Sequence, residues 1–325
     1  MKLVIQIPCL NEADTLPRTL ADLPSRIPGF DEIEVIVIDD GSADGTRRVA
    51  ERLGVAQVRR FARTRGLARA FSAGLDVALS RGADVIVNTD GDHQYAGADI
   101  ARLVRPIAAG DADLVIGARD IQAISGFSRR KKLLQRVGSA AIRRLSGCPI
   151  TDAPSGFRAF SREAAEQIVI LSGFSHTLET LLQVNRLGLS VREVPIRANE
   201  RSRPSRLATN TVDYLFRSAL ALAPAMAAHQ PRVCLIGALV GALLLAAGLG
   251  AALTPAGGVA ILSGLLVAVA SVLWMTSRAD WMRQARRRDA FRASIVEHPA
   301  VAAREELAEP WAMVGGAPRG ARREP

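Results

Sequence analysis

Cysteine is scarce in this chain of 325 residues: Cys9, Cys148 and Cys234 are an odd number, lie far apart and show no CxxC or Cys/His ligand spacing. That excludes a disulfide framework and a structural zinc site. Aromatic residues make up 4% of the sequence, which leaves no stacking platform, so nucleic acid is not expected as a partner. Lysine is almost missing, since all but Lys2, Lys131 and Lys132 of the 42 basic residues are arginine. No GxGxxG follows the first apolar run and no GxxxxGK[ST] occurs, which excludes a dinucleotide-binding fingerprint and a P-loop. What the sequence does contain is 49% hydrophobic residues and a net charge of +10. The first excludes disorder, and the second suits an anionic partner such as a membrane surface or a phosphorylated substrate.

The length fits one sizeable domain with an appendage. Up to about residue 120, short β-branched runs (LVIQIP, EVIVIDD, DVIVNTDGD, DLVIGARD) alternate with segments of helical spacing (ADTLPRTLADLP, ADGTRRVAERLG, GLARAFSAGLDVALSRG, AGADIARLVRPIAAG). This alternation predicts a mostly parallel sheet with helices on both faces. Ligands then bind beyond the carboxyl ends of the strands, where the chain places Asn11 and Glu12, Asp39 and Asp40, Asp90 and Asp92, and Arg119. The opening KLVIQIP runs straight into a polar motif and reads as a buried strand, not a signal peptide, so this domain is expected in the cytosol.

From Phe127 to Leu145 the sequence predicts a basic amphipathic helix or helix pair, either a solvated charged face or a membrane-surface or phosphate-binding element. DAPSGFRAFSREAAEQI reads as a loop and helix, FSHTLETLLQVNRLGLSVREVPI as a helix and strand, and RANERSRPSRL as a basic loop. Val233 to Ser277 contains no charged residue. A bilayer core of about 30 Å takes roughly 20 helical residues, so the stretch predicts a transmembrane hairpin over 233–253 and 258–277. Arginines flank both ends and the turn is uncharged, which puts both ends in the cytoplasm and makes the chain a multi-pass protein of the cytoplasmic membrane. Residues 208–232 are expected to form an interfacial helix and 278–325 a partly disordered basic tail. Gly237 and Gly241 form a GxxxG that permits close helix packing and homo-oligomerisation.

Three motifs carry chemistry. In NTDGDHQY, Asp90 and Asp92 flank one glycine after a strand, and such carboxylates can share one hard divalent cation with diphosphate oxygens; the same residues also make an ordinary turn. In IDDGSADGT, Asp39 and Asp40 can accept from a nucleobase or ribose, or form a capped strand-to-helix turn. In IPCLNEADTL, Asn11 and Glu12 end the first strand, a place where a helix cap is the common alternative.

PCLNE, DDGSADGT, RGLARAFSAGL, NTDGDHQY, VIGARD and SGFRAF, in this order, resemble glycosyltransferase family 2 with the GT-A fold, and within it the dolichyl- and polyprenyl-phosphate sugar transferases. The resemblance covers about residues 1–210, and the basic loop and hairpin beyond resemble the bacterial membrane-anchored branch. It implies that Pro8, Asn11, Glu12, Asp39 and Asp40 hold the nucleotide of a sugar nucleotide. Asp90 and Asp92 match the metal pair for Mg²⁺ or Mn²⁺, with Gln94 near that metal. Arg119 and Arg206 match phosphate-contacting positions, and Ser155, Gly156, Phe157 and Arg158 match the acceptor-side loop. Two departures stand out: Thr64 replaces a frequent asparagine, and Arg206 a more usual lysine.

The implied reaction moves a hexose, with inversion, from a UDP- or GDP-sugar to a polyprenyl phosphate at the cytoplasmic membrane face. An acceptor phosphate is already an anion and needs positioning rather than a base. Arg119, Arg130, Lys131, Arg201, Arg203 and Arg206 are the candidates for that task, since arginine can clamp phosphate through two hydrogen bonds. One alternative is a membrane-bound transferase acting on a sugar hydroxyl in cell-envelope polysaccharide synthesis. It needs a base, for which Asp152, Glu179 and His176 are available, although Glu179 also reads as a helix surface charge and His176 as a helix-start residue. The other is a non-enzymatic, membrane-tethered nucleotide-sugar-binding module.

Overall fold

The computed structural model describes residues 1–122, 128–170 and 175–199. Arg201, Arg203, Arg206, the interfacial segment 208–232, the hairpin 233–277 with its GxxxG, and the tail 278–325 lie outside the described residues. Among the described residues no helix is long and apolar enough to cross a membrane.

The elements run β1 (Lys2–Cys9), α1 (Leu16–Ala21), β2 (Glu32–Asp39), α2 (Thr46–Arg52), β3 (Gln57–Arg60), α3 (Leu67–Ser80), β4 (Val85–Asn88), α4 (Ile100–Ala108), β5 (Leu114–Arg119), α5 (Arg129–Ser146), β6 (Arg158–Ser161), α6 (Arg162–Gln167), α7 (His176–Val184) and β7 (Val191–Ile196). They build one sheet in the order β3-β2-β1-β4-β6-β5-β7. Its neighbours are parallel except around β6, which runs antiparallel to both β4 and β5. The alternating α/β reading is therefore correct for the described residues.

Side chains alternate across the sheet with the strand period of two. Val4, Ile36, Ile86 and Phe160 pack with Phe71 and Leu75 of α3 and Leu181 of α7 on one face. Leu3, Ile5, Val37 and Val87 pack with Leu16 of α1 and Leu103 of α4 on the other. Strands covered on both faces read as continuous apolar runs, which is why β1, β2, β4 and β5 were visible in the sequence.

Two strands were not. β3 is QVRR, a half-exposed edge strand with no apolar pattern. β6 is only RAFS, inside the stretch read as a loop and helix. The basic segment after β5 is one helix. The Ser128 side chain accepts from the Lys131 N–H at its start, and Gly147 ends it in the left-handed region at φ 70°.

The strand order reverses at β1, with β2 on one side and β4 on the other. In a sheet of this kind the carboxyl edge at such a reversal is where ligands bind.

Candidate active site

The loops after β1 and β2 are stitched together. The Asn11 N–H donates to Ser42 Oγ at 2.8 Å, and Asn11 Oδ1 accepts from the Ala43 N–H at 2.8 Å. The Glu12 N–H donates to Thr46 Oγ1 at 2.8 Å, and Glu12 Oε2 accepts from Thr15 Oγ1 at 2.7 Å. Asn11 holds φ at 54°, a conformation open to asparagine because its short amide can bond locally. Pro8 is buried on β1 opposite Ile38.

Asp39 and Asp40 are both buried. Asp39 accepts from the Ser42 N–H at 2.8 Å and faces Arg60 at 3.3 Å. Asp40 takes the N–H groups of Arg65 and Gly66, at 2.7 and 2.9 Å, where α3 begins. Burial raises its carboxyl above the ordinary range, against the pull of those two bonds. Asp39 thus orders its own loop, and Asp40 the loop that leads into α3.

Asp90 and Asp92 follow β4 and are half-exposed. Gly91 between them is pinned by its carbonyl, which accepts from Thr15 Oγ1 at 2.9 Å and Thr19 Oγ1 at 3.1 Å. A Cβ on Gly91 would fall 2.8 Å from Cys9 Sγ, so a side chain there would push the turn off β1. The Gln94 N–H donates to Asp92 Oδ1 at 3.1 Å, and the Gln94 carbonyl accepts from Asn199. Gly156 closes the other side, where a Cβ would lie 3.2 Å from Asp90 Oδ1. Its N–H donates to the Tyr95 hydroxyl and its carbonyl accepts from Asn88. Among the described residues no three His, Cys, Asp or Glu side chains cluster as a closed ligand cage. Two half-exposed carboxylates with hard oxygens instead suit a divalent cation whose other positions go to water or a diphosphate.

On the β5–β6 side the groups are buried charges. The Arg119 guanidinium grips Asp152 through Nε (2.7 Å) and Nη2 (2.9 Å), and its backbone N–H donates to the same carboxylate. Burial opposes the charge on Arg119, but Tyr95 and Asp152 outweigh it and keep the guanidinium protonated. Tyr95 lies under Arg119 at 5.9 Å and stacks on Phe157 at 4.9 Å; burial pushes its phenol up to about 12. Gln135 of α5 donates to Asp152 Oδ1 at 3.1 Å, and Glu193 of β7 accepts from the Thr151 and Asp152 N–H groups.

Arg158 is fully buried and donates to the carbonyls of Ser155, Thr177 and Ala153 at 2.7–2.9 Å. Burial lowers its pKa to about 10. The Ser155 N–H bonds the Asp152 carbonyl. Arg130 is exposed and Lys131 half-exposed on the first turn of α5. His176 is buried, stacked on Phe71 at 4.1 Å, and burial with nearby Arg158 takes its pKa down to about 3. Glu179 is fully buried, so it is no surface charge.

The structure therefore brings together Asn11, Glu12, Asp39, Asp40, Asp90, Asp92, Gln94, Ser155 and Gly156 through bonded loops. Tyr95, Asn88, Gln135 and Glu193 were not singled out in the sequence. Tyr95 adjoins the acidic motif and Asn88 ends β4, which is the signal that could have found them; Gln135 and Glu193 carry none.

The family model for glycosyl transferase family 2 matches residues 4–169. The chain is 34% identical over 209 residues to a polyprenol monophosphomannose synthase from Mycolicibacterium smegmatis, covering 61% of this chain and 77% of the relative. It is 32% identical over 212 residues to an undecaprenyl-phosphate mannosyltransferase from Micrococcus luteus, covering 62% and 85%. The fold is similar to that of glucosyl-3-phosphoglycerate synthase from Mycobacterium tuberculosis, solved with Mn²⁺, UDP-glucose and phosphoglyceric acid. That likeness has a TM-score of 0.54 and 25% identity, covering 69% of this chain and 78% of the other. The α/β domain is thus GT-A-like, and the family match lies on the strands that deliver both acidic motifs. This chain is a glycosyltransferase and belongs to glycosyl transferase family 2.

Proposed function

We propose that the enzyme transfers a hexose from a UDP- or GDP-sugar to the phosphate of a polyprenyl lipid, with inversion, at the cytoplasmic face of the membrane. The observation that carries this reading is that two of the three candidate bases are engaged elsewhere. The carboxylate of Asp152, a candidate base, is committed to Arg119 and Gln135. The imidazole of His176, another, is buried against Phe71. An acceptor that is already an anion requires neither. The names of the Mycolicibacterium and Micrococcus relatives support the same class of acceptor.

In this reading, Asn11, Glu12 and the Asp39–Asp40 loop bind the nucleotide, and Asp90 and Asp92 hold Mg²⁺ or Mn²⁺, which offsets the charge gained by the leaving diphosphate. An oxygen of the acceptor phosphate attacks the anomeric carbon as the bond to the diphosphate breaks. The Arg119 Nη1 edge, with Arg203 and Arg206 of the basic loop, positions that phosphate. The catalytic domain 1–207 is followed by the interfacial segment 208–232, the hairpin 233–277 and a cytoplasmic tail 278–325, a multi-pass anchor that brings the site to its lipid.

The test offers radiolabelled UDP-glucose and GDP-mannose separately to the detergent-solubilised full chain, with undecaprenyl phosphate and Mg²⁺ or Mn²⁺. Metal-dependent labelled lipid, lost in Asp92→Ala, is the expected result and names the donor. Nucleotide-sugar binding without labelled lipid from either donor would overturn the lipid-phosphate reading in favour of a hydroxyl acceptor.

A further inference from the structure

α5 has two dissimilar faces. Ser139, Ile142 and Ser146 are buried against the domain. On the outer side Leu133 is 58% exposed, Leu134 37% and Val137 58%, which makes three of the six large exposed hydrophobic residues found among the described residues. All three fall within five positions. At about 100° per residue they span roughly one quarter of the helix, turned away from Ser139 and Ile142. Arg129, Arg130 and Arg136 stand beside them and are exposed. The helix has seven basic residues and no acidic one. At Leu133 and Val137 more than half of the residue faces solvent, so core packing does not account for the apolar side chains there.

An exposed apolar strip inside an all-basic border is complementary to a bilayer with anionic headgroups, because the strip can enter the acyl boundary while the border meets lipid phosphates. We propose that the outer face of α5 docks on an anionic lipid bilayer through Leu133, Leu134 and Val137, with Arg129, Arg130 and Arg136 on the headgroups. The docking is independent of the hairpin and of which acceptor the enzyme uses. It also reaches the active site. Gln135 holds Asp152, and Ser139 Oγ accepts from the Ala153 N–H at 3.2 Å, so a seated α5 fixes the loop that ends at Gly156 against Asp90.

The experiment places an environment-sensitive nitrobenzoxadiazole probe on the full chain at Val137→Cys, in a Cys234→Ala background. Cys9 and Cys148 are buried and escape labelling. A control probe sits at Arg52→Cys, exposed on α2. Each protein is reconstituted into phosphatidylcholine vesicles with or without phosphatidylglycerol. The expected result is a blue shift at 137 and a severalfold excess of quenching by lipid-borne nitroxide over the control, only with phosphatidylglycerol and weakened by high salt. A water-like probe at 137 in the anionic vesicles would overturn the proposal, as would equal quenching in both lipids. A blue shift already present in detergent and indifferent to lipid quencher would instead mean that another part of the chain covers the strip. One that grows with protein density would mean a second copy. Either result also overturns it.

Discussion

On the β1–β2 side of the site, carboxylates are held by backbone N–H groups: Asp39 by Ser42, Asp40 by Arg65 and Gly66. On the β5–β6 side, guanidinium groups are held in the interior, Arg119 by one carboxylate and Arg158 by three carbonyls. The first arrangement rests on backbone N–H donors, which a side-chain substitution leaves in place. The second holds whole guanidinium groups in the interior, where in a low dielectric a charge that loses its partner is costly. The β1–β2 side should therefore yield to substitution in small steps, and the β5–β6 side should fail as a unit.

The sharpest way to break this contrast is Asp152→Asn. It leaves the Arg119 fork facing a neutral amide in place of the carboxylate that held it. The expected cost is about 3–5 kcal/mol, read from the chemical unfolding of the full chain in detergent. Replacing both partners with apolar residues should cost less than the single change, because no unpaired charge remains. A loss below 1 kcal/mol in Asp152→Asn would show that the pair is not the anchor of this half.

Arg158→Met comes next. It removes a buried charge but orphans the carbonyls of Ser155, Thr177 and Ala153, for a net loss of about 2–3 kcal/mol. Because Ser155 and Gly156 move with that loop, the metal concentration for half-maximal transfer should rise severalfold in the same variant, whereas an exposed control such as Arg52→Met changes neither.

His176 gives the contrast a pH axis. Its pKa is taken down to about 3 in the folded chain, from an unfolded value of about 6.5. A depressed histidine contributes full stability above the unfolded value and loses it as pH falls towards the folded one. Between pH 7 and pH 5 that loss amounts to about 2 kcal/mol. His176→Leu, which keeps the contact with Phe71, should flatten the fall in stability over that window. Equal slopes in variant and parent would mean that the imidazole is solvated in the folded state.

The same contrast explains what the sequence revealed. β1, β2, β4 and β5 are apolar runs ending in polar residues, and the acidic motifs are contiguous, so strands and motifs were legible together. The Arg119–Asp152 pair joins residues 33 positions apart, and Asp152 accordingly read as a free base. Arg158 sits in a motif that resembles an acceptor loop, yet its donors are spent on carbonyls inside the core. α7 is buried at all nine positions, so it lacks the polar face that would have marked Glu179 and His176 as interior. Contacts set by long-range packing leave no spacing to read.

The smallest effect belongs to Asp40→Asn. One amide oxygen can still accept from Arg65 or Gly66, but the amide nitrogen then faces the other N–H, donor against donor. The expected cost is about 1 kcal/mol, partly offset because the variant buries no charge. The sign of its pH dependence follows from the raised pKa of Asp40. A carboxyl whose folded pKa lies above its unfolded one contributes stability that is present at low pH and lost as pH rises through the folded value. Asparagine does not titrate, so the gap between parent and variant should widen as the pH falls through the carboxylate range. Unfolding midpoints taken at neutral and mildly acidic pH would check this. A gap that narrows instead would mean that the two N–H bonds outweigh burial at Asp40, and that the β1–β2 side stores charge as tightly as the β5–β6 side does.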